Sequence, residues 1–435
     1  MPTDIQAALR DAKPGDTVWV EGGVYTDVKV TLPAGVTLRA LPNHRVVFDS
    51  TFIDLKAEAV LWGINVTHRN TTRRSALPGS APTDLPADNG VYMAEKGTRV
   101  INCVILNTTG ISLAWFGFGE GEVYGSILGL AGWIGPDREH GPTLYSHNKL
   151  GGRRSIRHTV FLPSMRPSLQ LYSGGPNHVR DYDIQENVFI GGRLVIGANE
   201  TTGIKYRGNH SVETWWEMGR YAKTGDIEIM QNHHFGLRGA HFGKLNRVVM
   251  RDNLFTGPGY VEADTSIQQV EIGGNRYFLP NVRNAAWQFK IGANLHTDTT
   301  KLPAPWEQGS QFSGSEPTEN QVFVYPNEYE WQRGMVTIWN WERKPAVEVD
   351  LSALKLLEGK PYRVHNPQNL YRESFDFTYT GAPVAFPMTG WTLALPRNLD
   401  KPMFGSPTTF PRFGAFIVAP AGALGEDQPV DVLPS

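Results

Sequence analysis

Two glutamates, Glu217 and Glu200, and a group formed by Tyr145, His147 and Tyr172 have the types and spacing for acid–base chemistry on an extended ligand. Hydrolysis of a glycosidic bond uses two carboxyl groups about 5–10 Å apart. Glu200 follows one strand-like run and Glu217 lies on the next, and stacked strands are about 4.8 Å apart. The two glutamates are therefore read as such a pair. Tyr145, His147 and Tyr172 would instead supply base and acid for β-elimination from a uronic acid, with Arg138 or Lys149 neutralising the carboxylate. Arg166 and Lys205 are further cationic candidates. Trp215, His140, Gln170, Asn199, His241 and Lys149 are read as substrate-contacting residues, offering an aromatic ring for a sugar face and polar groups for hydroxyls. Hydrolysis stands slightly ahead of elimination, because the chain is not basic and the groove carries rings and carboxylates.

These residues are far apart in sequence, so a repeating scaffold must bring them together. Asn187, Asn209, Asn232, Asn253 and Asn275 each close a short strand-like run and follow one another at intervals of 21 to 23 residues. A fixed period of this size marks a solenoid. Val100–Asn102 and Ser155–Phe161 extend the pattern backwards with longer, looped-out coils. Asparagines at one turn position can form a ladder whose amides satisfy neighbouring backbone. Their role is structural rather than catalytic.

Side chains alternate in and out along a strand, so aligned coils share an outer face. With Leu144 and Ser146 inward, Tyr145 and His147 point out. The same rule exposes Gln170 and Tyr172, then Val195, Gly197 and Asn199. Glu213, Trp215 and Glu217 follow, then His241, Glu262 and Asp264. This wall is the predicted groove. Alternation sends one of Trp215 and Trp216 outward. It also separates His233 from His234, so at most one of them can join His241 in a metal site. No metal site is predicted; Ca²⁺ would enter only with a lyase.

Residues 1–297 are predicted to form the solenoid, closed at its start by an amphipathic helix over Asp4–Ala12 that protects the end coil. The asparagine ladder stops near Pro280–Lys290. Residues 298–320, rich in Pro, Gly, Ser and Thr, read as a linker. Residues 321–435 alternate as antiparallel strands over Met335–Trp341, Val347–Leu351, Tyr362–His365 and Gly414–Val418, a β-sandwich pattern. The opening residues Ile5–Leu9, Lys13–Val20 and Gly23–Tyr25 resemble the cap and first coil of pectate-lyase-like β-helices. Gly132–Asn148, containing His140-Gly141 and Tyr145, resembles a motif of bacterial right-handed parallel β-helix proteins of the pectin-lyase-like class. Pro142, Thr143 and His147 depart from that motif. Val324–Tyr329 and Val364–Asn369 resemble the sandwich that accompanies those helices. The resemblance implies an all-β protein, a right-handed parallel β-helix followed by an antiparallel β-sandwich. That class spans lyases, hydrolases, epimerases and viral adhesins.

The 41 basic and 43 acidic residues nearly cancel, giving no general attraction to nucleic acid or an anionic membrane. No apolar run approaches a membrane span. The single cysteine, Cys103, excludes an intrachain disulfide, and its apolar setting argues against a nucleophilic role. A polysaccharide or oligosaccharide is the predicted partner, for a monomer working outside the cell or in the periplasm. A secretion signal is read as absent or already removed. The rival from another class is a glycan-binding protein that does not cleave.

Overall fold

The structure, a computed structural model, describes residues 5–26, 29–70, 72–86, 89–148, 151–175, 177–219, 221–236, 240–257, 260–263, 267–278, 288–291, 294–296, 309–399, 406 and 408–425. The chain winds as a right-handed parallel β-helix. Each coil contributes one strand to each of three parallel sheets. Sheet 1 runs from Thr17–Val20 to Gln269–Gly273, and sheet 2 from Gly23–Thr26 to Gln311–Ser313. Sheet 3 runs from Val30–Leu32 to Trp215–Met218 and is prolonged by Ala240–Phe242, Tyr260–Ala263 and Gln288–Ile291. The inner faces enclose one apolar core, and helix Ile5–Asp11 closes its first end with Leu9 buried against it.

The turn from sheet 1 to sheet 2 repeats a two-residue device. The first residue takes a left-handed conformation, as at His158, Glu186, Gln231 and Asp252. The second turns its side chain inward. Asn209 Oδ1 accepts from both the backbone N and Nδ2 of Asn187, each at 3.0 Å, while its own Nδ2 reaches Ile184 O at 3.0 Å. Asn232, Asn253 and Asn275 repeat the pattern. All five asparagines are fully buried, so these bonds satisfy backbone that no water reaches. Towards the start, Thr159 and Ser126 occupy the ladder position, and Ser126 Oγ accepts from the amide of Cys103 at 3.1 Å. Asn102, read from sequence as part of the ladder, instead takes the left-handed position before it.

The solenoid extends beyond the point where the asparagines stop. Gln311–Ser313, within the stretch read as linker, adds a parallel strand to sheet 2. Ser310 Oγ replaces the next asparagine by accepting from Asn275 N at 3.0 Å, and Phe312 stacks on Tyr277 at 4.9 Å. A serine carries out the same capping, which hid this rung from an asparagine count.

The C-terminal strands form a five-stranded antiparallel sheet and a two-stranded sheet that pack around a second core. Strand Gly334–Trp339 is buried on both faces. Val336 and Ile338 face that core, whereas Met335 and Trp339 pack on the outer face of sheet 2 against Val160, Val188 and Val212. At this contact His210 Nδ1 accepts from Trp339 Nε1 at 2.9 Å, and its Nε2 bonds Tyr325 OH at 2.8 Å. Arg157, held by Glu122 of the neighbouring coil at 2.8 Å, reaches across to Glu328 of the C-terminal strands' hairpin loop at 2.6 Å. Arg157 is therefore a clamp between the coils and that loop.

Asn232→Ala removes the acceptor for two buried donors of Asn209. It should lower stability by about 3–5 kcal/mol, measured by denaturant unfolding, with an exposed control such as Glu319→Ala near zero. Burial holds His210 well below the ordinary imidazole pKa and His233 at about 4. The unfolded chain therefore binds more protons below about pH 6.5. The stability of this junction is fully present above that pH and falls as pH drops towards 4, by about 1–3 kcal/mol. Melting temperatures at pH 7.5 and 5.0 check this; a flat profile contradicts it.

Candidate functional site

With sheet 2 covered by the C-terminal strands, sheet 3 keeps an open outer face. Its register aligns Tyr92, Ala114, Tyr145, Gln170, Val195 and Glu217 in one outward column. A short hairpin, Trp133–Ile134 with Glu139–His140, leaves the coil before Tyr145 and stands beside this column. Its base is tight: a side chain on Gly141, at φ +74°, would meet Gly132 Cα at 2.4 Å. Trp133 stacks on His140 at 4.8 Å, and Asp137 Oδ1 bonds His140 Nε2 at 3.1 Å. That bond holds the Asp137 carboxyl below its usual pKa.

Hairpin and sheet enclose a cleft of about 570 Å³ lined by Arg138, His140, Tyr145, Arg166, Gln170 and Tyr172, with Trp133, Asn89 and Ser80 at its wall. Among the described residues no carboxylate lines it. Arg138 is anchored by Asp137 and Ser80 Oγ, both at 3.1 Å. Arg166 is half-buried and makes no ion pair among the described residues. Burial, then the charges of Arg138 and Arg193, press its guanidinium below the usual range. Burial and the neighbouring Tyr172 push the Tyr145 phenol upwards, against the Gln170 hydrogen bond and Arg166. Tyr145 thus keeps its proton beside two cations.

The structure brings Arg138, His140, Tyr145, Arg166, Gln170 and Tyr172 together and places the other described candidates elsewhere. His147 shares the outer face but stacks on Phe116 at 4.7 Å, with its ring 6.0 Å from Tyr145. Trp215 is outward and exposed, whereas Trp216 is in the core. Glu217 lies in the outward column yet is buried, held by Arg193. Glu200 starts the sheet 1 strand Glu200–Arg207 and pairs with Arg180. The two glutamates therefore sit on different sheets rather than one rung apart, because the turn at 197–199 carries the chain around a corner between them. The Arg180 bond holds the Glu200 carboxyl below its usual pKa.

Asn199 is in that corner and donates to Gly175 O at 3.0 Å. His241 pairs with Glu262 at 3.0 Å further along the wall. Glu213, expected on the wall, occupies a left-handed turn and accepts from Ser406 Oγ at 2.6 Å. Lys149 and Asp264 lie outside the described residues. Arg154 is fully buried beneath the cleft strand, donating to Trp115 O and His147 O at 3.0 Å each. It fixes the backbone from which Tyr145 and His147 project. The Trp133–His140 stack and Arg193 were missed as supports. Only the glycine pair flanking the hairpin hints at them in sequence.

Among the described residues no three His, Cys, Asp or Glu gather as a metal site. The Cys103 thiol is buried and pushed up to about 12. No described helix is long and apolar enough to cross a membrane.

No protein-family model and no curated protein matches the chain. Among solved structures it is similar to an arginine mutant of the PL6-family alginate lyase AlyGC, at 13% identity over 75% of this chain and 54% of that one, TM-score 0.37. It is also similar to PfbA, a surface adhesin of Streptococcus pneumoniae, at 9% identity over 74% and 93%, TM-score 0.38. A third is tailspike protein gp49 from Acinetobacter baumannii bacteriophage Fri1, a capsular polysaccharide depolymerase, at 10% identity over 86% and 78%, TM-score 0.19. The chain spans about half the length of the alginate lyase.

Glu217→Gln removes the partner of Arg193 from a buried position. It should lower stability by about 2 kcal/mol, less than a fully buried pair because Arg193 is partly solvated. Tyr145→Phe should leave the melting temperature within a degree or two. Thermal unfolding of both variants checks this.

Proposed function

We propose that the protein cleaves an acidic polysaccharide by β-elimination in the cleft on sheet 3. The observation that carries this reading is Arg166, a half-buried cation with no ion pair among the described residues, in a cleft whose described lining has two phenols and no carboxylate. Such a site is incomplete without an anionic ligand.

A uronate carboxylate fits between Arg166 and Arg138, which stabilise the enolate-like charge that develops when the proton on C5 leaves. The neighbouring Tyr172 raises the cost of ionising Tyr145. Tyr145 keeps its proton and donates it to the glycosidic oxygen; Tyr172, entering the step as phenolate, takes the proton from C5 and becomes a phenol. The C5–H electron pair becomes the C4–C5 double bond as the C4–O bond breaks. One product carries an unsaturated uronate and the other a new end. Glu200 and Glu217, each tied to an arginine outside the cleft, no longer supply the carboxyl pair on which hydrolysis depends. A polymeric substrate would set the work outside the cell or in the periplasm.

The test is incubation with neutral and uronic-acid polysaccharides, with and without Ca²⁺, following reducing ends and the ultraviolet absorbance of the unsaturated product together. Both signals should rise with a uronic-acid polymer. Tyr145→Phe should then slow turnover by about 10²–10⁴-fold, and Arg166→Ala should abolish it. Reducing ends without absorbance would establish hydrolysis instead, and silence across the panel would leave a binding protein.

A further inference from the structure

A second cavity, of about 340 Å³, lies on the other side of the molecule, where the hairpin loop Asn327–Arg333 meets the early coils. It is the size of a small-ligand site. Its walls are rings and cations: Trp62, Tyr329, Trp331 and Tyr371, with Arg39, Arg45 and Arg333. Among the described residues one carboxylate lines it, Glu330, already engaged by Arg333 at 2.8 Å and by the indole N–H of Trp62 at 2.7 Å. The lining therefore carries excess positive charge. Arg39 lies between two indoles, 3.6 Å from the Trp62 ring centre and 5.0 Å from that of Trp19, and makes no ion pair among the described residues.

The loop is built to be rigid. Asn327 Oδ1 accepts from the amides of Tyr329 and Glu330, at 2.9 and 2.8 Å, and its Nδ2 is anchored to Asn102 Oδ1 at 2.8 Å. That anchor explains why Asn102 left the ladder. The rigid loop holds Trp331 at the cavity mouth, 67% exposed, the most exposed large apolar side chain among the described residues. A tryptophan held rigidly in water, with cations behind it, is costly unless a flat, partly apolar anion covers it.

We infer that this cavity is a second saccharide site, binding an acidic sugar unit with a ring face on Trp331 and its carboxylate towards Arg39. It lies apart from sheet 3 and needs no chemistry of the cleft. That the same polymer supplies both sites rests on the proposed activity; the acidic class rests on the cavity's own charge.

The experiment uses the full chain carrying Arg166→Ala, which removes the cleft cation that has no ion pair among the described residues. Titration calorimetry and tryptophan fluorescence follow di- to tetrasaccharides of galacturonate, mannuronate and glucuronate, with neutral glucose oligomers as control. One binding event should persist with an acidic series. Adding Trp331→Ala should weaken it about tenfold, the loss of one ring contact, and Trp331→Phe should restore part of it. No binding in the Arg166→Ala protein, binding indifferent to Trp331, or equal binding of neutral oligomers would each overturn the site. If Trp331-dependent binding appears while the wild type shows no elimination, the second site stands and the proposed activity falls.

Discussion

The architecture depends on one arrangement of hydrogen bonds, the side-chain ladder at the turn from sheet 1 to sheet 2. A tight turn inside a stack of coils strands an amide and a carbonyl where water cannot reach them, and an unsatisfied buried group costs about 1–3 kcal/mol. An inward asparagine answers both needs, its oxygen accepting from the coil before it and its nitrogen donating to that coil's carbonyl. Because each amide bonds the next, the coils are locked in register. A one-residue slip would turn the core outward.

Register in turn fixes the cleft. Tyr145 and Gln170 face each other across neighbouring rungs only because Leu144 and Leu169 are held opposite on the inside. Beneath them Arg154 carries a full charge into the core, where carbonyls and the Ser146 and Tyr182 hydroxyls solvate it. An arginine can do this because its planar fork reaches several acceptors at once. The cleft floor is thus stiff, which suits a site that must hold a substrate atom within reach of a proton donor.

The C-terminal strands decide which face of the solenoid is available. They bury the apolar exterior of sheet 2, including Val160, Val188 and Val212, and two neutral histidines sit in the contact. Sheet 3 remains for a ligand. The same docking closes the second cavity, whose lining joins Arg39 and Trp62 of the early coils to Tyr329 and Trp331 of the C-terminal loop.

The sequence by itself determined the coil repeat, the capping helix, the C-terminal strands and the outward column, since each follows from periodicity and alternation along the chain. It placed Tyr145, Gln170 and Tyr172 on one face for the same reason. Tertiary structure decided what periodicity cannot encode. The corner at 197–199 carried Glu200 to another sheet, and Arg193 claimed Glu217. Arg154 and Arg157, neighbours in a basic run, went to opposite fates, one to the core and one to the domain junction. Ser310 extended the solenoid in place of an asparagine. These outcomes turn on which groups meet across coils of different length and across two packed domains. A charged side chain's partner is set by that three-dimensional proximity, which spacing along one strand does not contain.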